Sequence, residues 1–317
     1  MSVYLCGELA PPEVEAWLQA LRAAMPEERI ETSPERLDPA TVDVALVANP
    51  PPGQLKTFTS LRLLQSLWAG VDRLLADSTL PSEVPLARMV DGTMGEAMAE
   101  TALWAVLSLQ RGFYRYAQQQ RERRWAVLPQ RRADEVQVAV LGLGQLGRTV
   151  AARLAAQGHV VHGWRQGGGG RTEALQLPDV WVHEGAAGLA SLLAGSDIVI
   201  NLLPLTDSTR GLFNAARLAT MKPGAALVNL ARGAHVIEGD LLAALDAGQL
   251  SHAVLDVFQA EPLRADHPFW AHPQVTVLPH AAALTDPRSA ARVVAANVRA
   301  LRSGQPLAHL VDRRRGY

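Results

Sequence analysis

The sequence predicts an α/β fold of two parallel-sheet domains, one inserted in the other, and three observations predict it. Short apolar runs with the character of strands alternate with helical patterns from the first residues onward. From about Met94 to Arg124 the alternation stops: no proline occurs, and Met98, Ala102, Ala105, Leu109 and Phe113 recur at helical spacing. It restarts at Val136, and a last helical pattern, Ser289 to Leu301, falls after the second series of strands is complete. That helix is expected to return to the first domain and make it discontinuous.

In the first series, Ser2 to Cys6 reads as a strand and Pro12 to Ala24 as an amphipathic helix opened by proline. Val42 to Ala48 is a second apolar strand, closed by the stiff loop Asn49-Pro50-Pro51-Pro52-Gly53. Leu63 to Leu67 is another, leading into Trp68-Ala69-Gly70-Val71-Asp72, and Pro85 to Val90 is a short last one. The run from Met94 to Arg124 reads as one helix, longer than globular helices usually are, so a bridge between domains or a subunit contact is expected. The second series has strands at Val160 to Trp164, Asp197 to Leu203, Ala226 to Leu230, Ala253 to Val257 and Val275 to Leu278, with a helix at Gly239 to Ala247 among the helical runs between them. The only low-complexity piece, Gly167 to Gly170, reads as a flexible loop.

The second series opens on Val138-Ala139-Val140-Leu141-Gly142-Leu143-Gly144-Gln145-Leu146-Gly147, followed at once by an alanine-rich helical pattern from Arg148 to Gln157. Strand, Gly-x-Gly-x-x-Gly and helix in that order are what a dinucleotide site needs. Gly142 permits a sharp turn, Gly144 has no Cβ to keep the backbone from a pyrophosphate, and Gly147 lets helix and strand pack closely. The helix N-terminus offers unpaired N–H groups and positive dipole to the phosphates. A glycine triplet alone also occurs in ordinary tight turns; the flanking strand and helix supply the specificity.

Composition narrows the classes. With 317 residues, 48% of them hydrophobic, the chain is long enough for two ordinary domains. Thirty basic against 31 acidic side chains leave no field to attract nucleic acid or a membrane surface, and Arg313-Arg314-Arg315 is too short a cluster to alter that. One cysteine, Cys6, excludes an internal disulfide framework and fits a reducing compartment; it lies in an apolar strand-like run, where packing is the expected role. The first residues lack a basic region followed by a long apolar core, so a cytoplasmic location is the expectation. Neither His159 with His162 nor His267 with His272 has a metal-ligand spacing.

The glycine motif, Leu203-Pro204-Leu205-Thr206 with Thr209, Asn229-Leu230-Ala231-Arg232-Gly233, Leu255-Asp256-Val257-Phe258 with Glu261-Pro262, and Pro279-His280 together resemble the D-isomer-specific 2-hydroxyacid dehydrogenases, in that family's order and over essentially the whole chain. Within the family, Trp68 to Asp72, Ala231-Arg232-Gly233-Ala234-His235 and the terminal Val311-Asp312-Arg313 to Gly316-Tyr317 look most like the glyoxylate/hydroxypyruvate reductase A type. The resemblance implies reduction of a small 2-keto acid, glyoxylate or hydroxypyruvate, to glycolate or D-glycerate. It also implies a homodimer through the long helix. Two alternatives stay open: a bulkier substrate such as phenylpyruvate, and a coenzyme-sensing binding protein of the same fold.

Chemistry leads to the same residues. Reducing a 2-keto acid takes a cation for the carboxylate and an acid for the carbonyl oxygen, beside a nicotinamide. Arg232 stands just past an apolar strand, where ligands gather on such sheets, and its planar fork suits a two-point grip. His280 follows another strand and is the natural proton donor near neutral pH. Glu261 is assigned by the resemblance as its partner, expected to raise the histidine's pKa. Ala69, Gly70 and Val71 resemble the family's carboxylate-binding loop; Trp68 either shapes the pocket or simply packs.

Coenzyme contacts are expected along Gly142, Leu143, Gly144, Gln145, Leu146 and Gly147, and at Leu203, Pro204, Leu205, Thr209, Ala231 and His280. Asp256 is expected to reach the nicotinamide amide, with a turn cap as its alternative. Which nicotinamide depends on the end of the next strand, where an NAD enzyme needs an acid. Here that strand ends His162-Gly163-Trp164-Arg165-Gln166, with no acidic residue from Gly147 to Glu173. Trp164 takes the acid's position, and Arg165, with Arg171 as a second candidate, can meet a 2′-phosphate. NADPH is therefore expected. The expected fold is α/β: a Rossmann-type doubly wound parallel sheet over about 97–283, inserted in a smaller flavodoxin-like α/β substrate domain of residues 1–96 and 284–317, with the site in the cleft between them.

Overall fold

The structure, a computed structural model, describes residues 1–167 and 177–317. The chain forms two compact units, Met1–Met94 with Thr285–Tyr317, and Gly95–Leu284.

The smaller unit begins with β1 (Ser2–Gly7), α1 (Pro11–Ala24), β2 (Ile30–Glu31), β3 (Val42–Ala48), β4 (Leu63–Ser66), α2 (Asp72–Ala76) and β5 (Leu86–Ala87). Its sheet is parallel, in the order β2-β1-β3-β4-β5. Alternate residues of the central strands, Tyr4 and Cys6 with Ala45 and Val47, are buried against Leu55, Phe58, Leu61 and Leu74. The expected strand from Pro85 to Val90 shrinks to two residues: Leu64 N–H bonds Pro85, but beyond Ala87 the N–H groups of Arg88 and Met89 go to the His309 and Trp68 carbonyls, outside β4.

The larger unit is built on α3 (Gly92–Arg111), whose first turn carries the chain across, then α4 (Phe113–Arg121), β6 (Gln137–Leu141), α5 (Gln145–Ala156), β7 (Val160–Arg165), β8 (Val180–Glu184), α6 (Gly185–Gly195), β9 (Ile198–Asn201), α7 (Ala215–Ala219), β10 (Ala225–Asn229), α8 (Glu238–Asp246), β11 (Leu250–Leu255) and β12 (Val275–Val277). Its sheet among the described residues is parallel, in the order β12-β11-β10-β9-β6-β7-β8. The period of two is visible in the packing. Val138 and Val140 face α3 and α5 through Met98, Ala102, Val150 and Leu154. Ala139 and Leu141 face the other layer, Leu189, Leu192, Leu241 and Leu245. Each Leu or Val so buried contributes about 1.5–3 kcal/mol.

Three readings of local pattern need correction. The long helix is two helices: Gly112 adopts φ +68, a left-handed conformation that interrupts the helix, and Leu128 of the loop after α4 packs 2.9 Å from where a Cβ would stand. Strand β8 has no counterpart in the expected elements, because it is a short edge strand with Trp181 exposed and only Val180 and Val182 alternating. Strand β11 starts three residues before Ala253 and ends before Asp256, since Leu250 and His252 are buried in register with β10.

The last helix, α9 (Pro287–Arg302), packs on α1 in the smaller unit. Asp286 caps it by accepting from Arg288 N–H at 2.9 Å. Its buried Asn297 donates to Gln65 at 2.7 Å, and Arg302 joins Glu28 at 2.8 Å and also Asp43. Among the described residues no helix is long and apolar enough to cross a membrane.

Candidate active site

The residues singled out in the larger unit stand at the carboxyl ends of its strands, and each is held there for a physical reason. The glycine turn follows β6. Gly142 has φ +97, and a Cβ on it would lie 2.8 Å from the Leu202 carbonyl oxygen; its N–H bonds the Trp164 carbonyl at 2.8 Å, tying the turn to the end of β7. A Cβ on Gly147 would fall 1.8 Å from the Gly142 oxygen, whereas one on Gly144 would meet nothing within 4 Å. So Gly142 and Gly147 are required by the protein's own packing, and Gly144 leaves open space over the first turn of α5. A phosphate can approach there, where N–H groups have no intrahelical acceptor. The backbone thus fits a dinucleotide.

At the next strand end the Trp164 side chain turns inward. It is buried against Leu189 and Leu192, and its indole N–H donates to the Gly185 carbonyl at 2.9 Å. Arg165 is half-buried and paired with Glu184, its register partner on β8. Gln166 is exposed. Arg171 and residues 168–170 of the glycine run lie outside the described residues.

The ends of β9 and β10 are joined by a buried polar network. Asn201 Nδ2 donates to Asn229 Oδ1 at 2.9 Å and stands 2.8 Å from His235 Nδ1. Asn229 Nδ2 in turn donates to the Arg232 carbonyl at 2.9 Å. The loop Leu203-Pro204-Leu205 is closed by Thr209, whose hydroxyl donates to the Pro204 carbonyl and accepts from Thr206 N–H, both at 2.8 Å. Arg232 then leaves the strand in an extended conformation, its Nη1 donating to the Ala231 carbonyl at 2.7 Å. Gly233 after it is pressed on Phe258, where a Cβ would lie 1.9 Å from the Phe258 carbonyl carbon. That contact sets the Arg232 turn beside the loop bearing Glu261.

In that loop Glu261 Oε1 accepts from Phe258 N–H at 2.9 Å, and Oε2 stands 2.7 Å from His280 Nδ1. His280 adopts φ +56, a left-handed conformation that a non-glycine residue holds only with support. Asp256 supplies it. Its carbonyl accepts from His280 N–H at 2.8 Å, and its buried carboxylate accepts from Ala281 and Ala282 N–H at 2.8 and 3.0 Å. Asp256 thus caps the turn that carries His280. Burial raises its pKa, against the two N–H bonds.

The electrostatics follow from these contacts. The hydrogen bond that His280 donates to Glu261 raises the His280 pKa, against burial and the nearby Arg232 charge. Burial alone would raise Glu261, but bonds from His280 and Phe258 N–H outweigh it and hold the carboxyl below its usual range. With Nδ1 engaged by Glu261, Nε2 is the nitrogen left for a substrate. A positioned imidazolium beside a guanidinium can grip an α-keto carboxylate and protonate its carbonyl. Among the described residues no group of three or more His, Cys, Asp or Glu side chains is arranged to hold a metal.

A family model for the D-isomer specific 2-hydroxyacid dehydrogenase NAD binding domain matches residues 103–282. The chain belongs to the D-isomer-specific 2-hydroxyacid dehydrogenases. Among these dehydrogenases it is 41% identical over 308 residues to glyoxylate/hydroxypyruvate reductase A of Serratia proteamaculans, covering 96% of each chain. A D-isomer specific 2-hydroxyacid dehydrogenase of Xanthobacter autotrophicus Py2, solved in complex with NADPH and MES, is 40% identical with a TM-score of 0.93, covering 100% of this chain and 99% of that one. The NADPH-dependent glyoxylate/hydroxypyruvate reductase of Sinorhizobium meliloti, solved with NADP and sulfate, is 34% identical with a TM-score of 0.92 and full coverage of both chains.

Arg232, Glu261 and His280 lie together in the larger unit, while Trp68, Ala69, Gly70 and Val71 lie in the smaller one. There Ser66 Oγ braces the loop, donating to the Trp68 carbonyl at 2.9 Å. Asn201, Asn229, His235 and Glu184 were given no role from the sequence, Asn229 and His235 standing only inside quoted motifs. The first two are polar residues ending apolar strands, a signal that was available; Glu184 had none.

Proposed function

We propose that this chain reduces glyoxylate or hydroxypyruvate to glycolate or D-glycerate with NADPH. The observation that carries the reading is the Glu261–His280 pair, 2.7 Å apart, beside Arg232 on a sheet with a dinucleotide turn. Arg232 grips the substrate carboxylate and carbonyl oxygen. His280 Nε2 gives its proton to that oxygen, and Glu261 steadies the imidazolium. Gly142 to Gly147, Leu203 to Leu205, Ala231 and Asp256 line the coenzyme's place, and Arg165 takes its 2′-phosphate. The coenzyme, when bound, supplies the hydride. The larger unit is thus read as the coenzyme domain and the smaller as the substrate domain. The NADPH and NADP named with the Xanthobacter and Sinorhizobium structures support the choice of coenzyme.

The test is NADPH oxidation with a panel of 2-keto acids, repeated with NADH and with His280→Ala. Turnover of glyoxylate or hydroxypyruvate is expected, falling by about 10²- to 10⁴-fold in the variant, the usual worth of a general acid. Turnover confined to bulky keto acids would overturn the substrate; tight NADPH binding without turnover would overturn the activity.

We also propose a homodimer through α3 and α4. Trp104 and Phe113 are 45% and 52% exposed there, beside a groove of about 250 Å³ lined by Leu109, Tyr114 and Val254. Light scattering should give twice the chain mass, and Phe113→Glu should halve it.

A further inference from the structure

The acid that is missing at the end of β7 reappears beside it in space. Glu184 ends β8, directly opposite Arg165, and its Oε1 accepts from both Nε and an Nη of the guanidinium. Its position is built from several sides. The Trp164 indole holds the Gly185 carbonyl, and Gly185, at φ +67, turns the chain into α6. Gly167, at φ +87, passes so close that a Cβ there would lie 3.5 Å from Glu184 Oε2.

A guanidinium has donors for two anions, but beside Glu184 its charge is already balanced. A 2′-phosphate reaching Arg165 therefore meets a carboxylate within a few ångströms, and like charges at that range repel. A 2′-hydroxyl suffers no such repulsion and is itself a donor that a carboxylate can accept, the part an acid plays at this strand end in NAD-type sheets. We infer that Glu184 is a specificity-determining residue for the coenzyme. It competes with the 2′-phosphate for Arg165 and holds the preference for NADPH over NADH below what Arg165 alone would set. The inference rests on the proposed 2′-phosphate role of Arg165.

The experiment is calorimetric titration of the full chain with adenosine 2′,5′-bisphosphate, NADPH and NADH, for the wild type, Glu184→Gln, Glu184→Asp and Arg165→Ala. Glu184→Gln is expected to bind the bisphosphate and NADPH roughly three- to ten-fold more tightly and NADH no more tightly, from the loss of one like charge. Glu184→Asp, which keeps the charge, is expected to stay near the wild type. Unchanged or weaker bisphosphate binding by Glu184→Gln, with binding lost in Arg165→Ala, overturns the competition while the role of Arg165 stands. Bisphosphate binding that survives Arg165→Ala overturns that role, and the inference with it.

Discussion

His280 and Glu261 show how one contact sets a working range of pH. In the proposed reaction the imidazolium is the acid for reduction, so activity should persist above the ordinary histidine pKa and fall as pH rises through the raised value. Glu261→Gln removes the largest cause of the rise while burial and Arg232 still oppose protonation. The basic limb of the reduction profile and the acidic limb of the oxidation profile should both move to lower pH. Profiles of kcat/KM in both directions check this, and limbs that stay in place would break the pairing. At Arg232 the expectation concerns geometry. Arg232→Lys keeps the charge but loses the fork, so KM for the keto acid should rise by about 10- to 100-fold, the worth of one charge-assisted hydrogen bond.

At the scale of the element, the turn between β6 and α5 separates folding from binding. Gly147→Ala puts a methyl 1.8 Å from the Gly142 oxygen, so helix and strand must part. A loss of about 2 kcal/mol or more is expected, lowering Tm by roughly 4 °C or more. Gly144→Ala meets nothing within 4 Å and should leave Tm within about 1–2 °C of the wild type, yet weaken NADPH binding by about ten-fold or more. Thermal scans with and without NADPH distinguish the two. The break at Gly112 has the same kind of cause. The apolar spacing through Phe113 continues unbroken, while Gly112 adopts the left-handed conformation with Leu128, sixteen residues on, packed where a Cβ would stand.

At the scale of the whole molecule, α9 closes the smaller unit across nearly the full length of the chain. Arg302 balances the half-buried Glu28 and the buried Asp43, so Arg302→Met strands two carboxylates and should cost about 3–5 kcal/mol. Urea unfolding measures it, and a change under about 1 kcal/mol would mean that solvent reaches the pair. Legible in the sequence were the features a short segment specifies by itself. The period of two in Val138 to Leu141, the glycines that follow, and Arg232 and His280 after strands all depend on neighbours a few residues away. The Asn201–Asn229–His235 network, the cap that Asp256 makes for His280, and the carboxylate that β8 brings to Arg165 were not legible. Each joins residues 19 to 34 positions apart through strand register. The sequence alone determined the alternation of elements, the dinucleotide turn and the choice of side chains proposed to react, because backbone preference and side-chain chemistry are local. Only the tertiary structure decided which strand lies beside which, and hence that Arg165 faces an acid, because register is set by packing between segments that no local pattern connects.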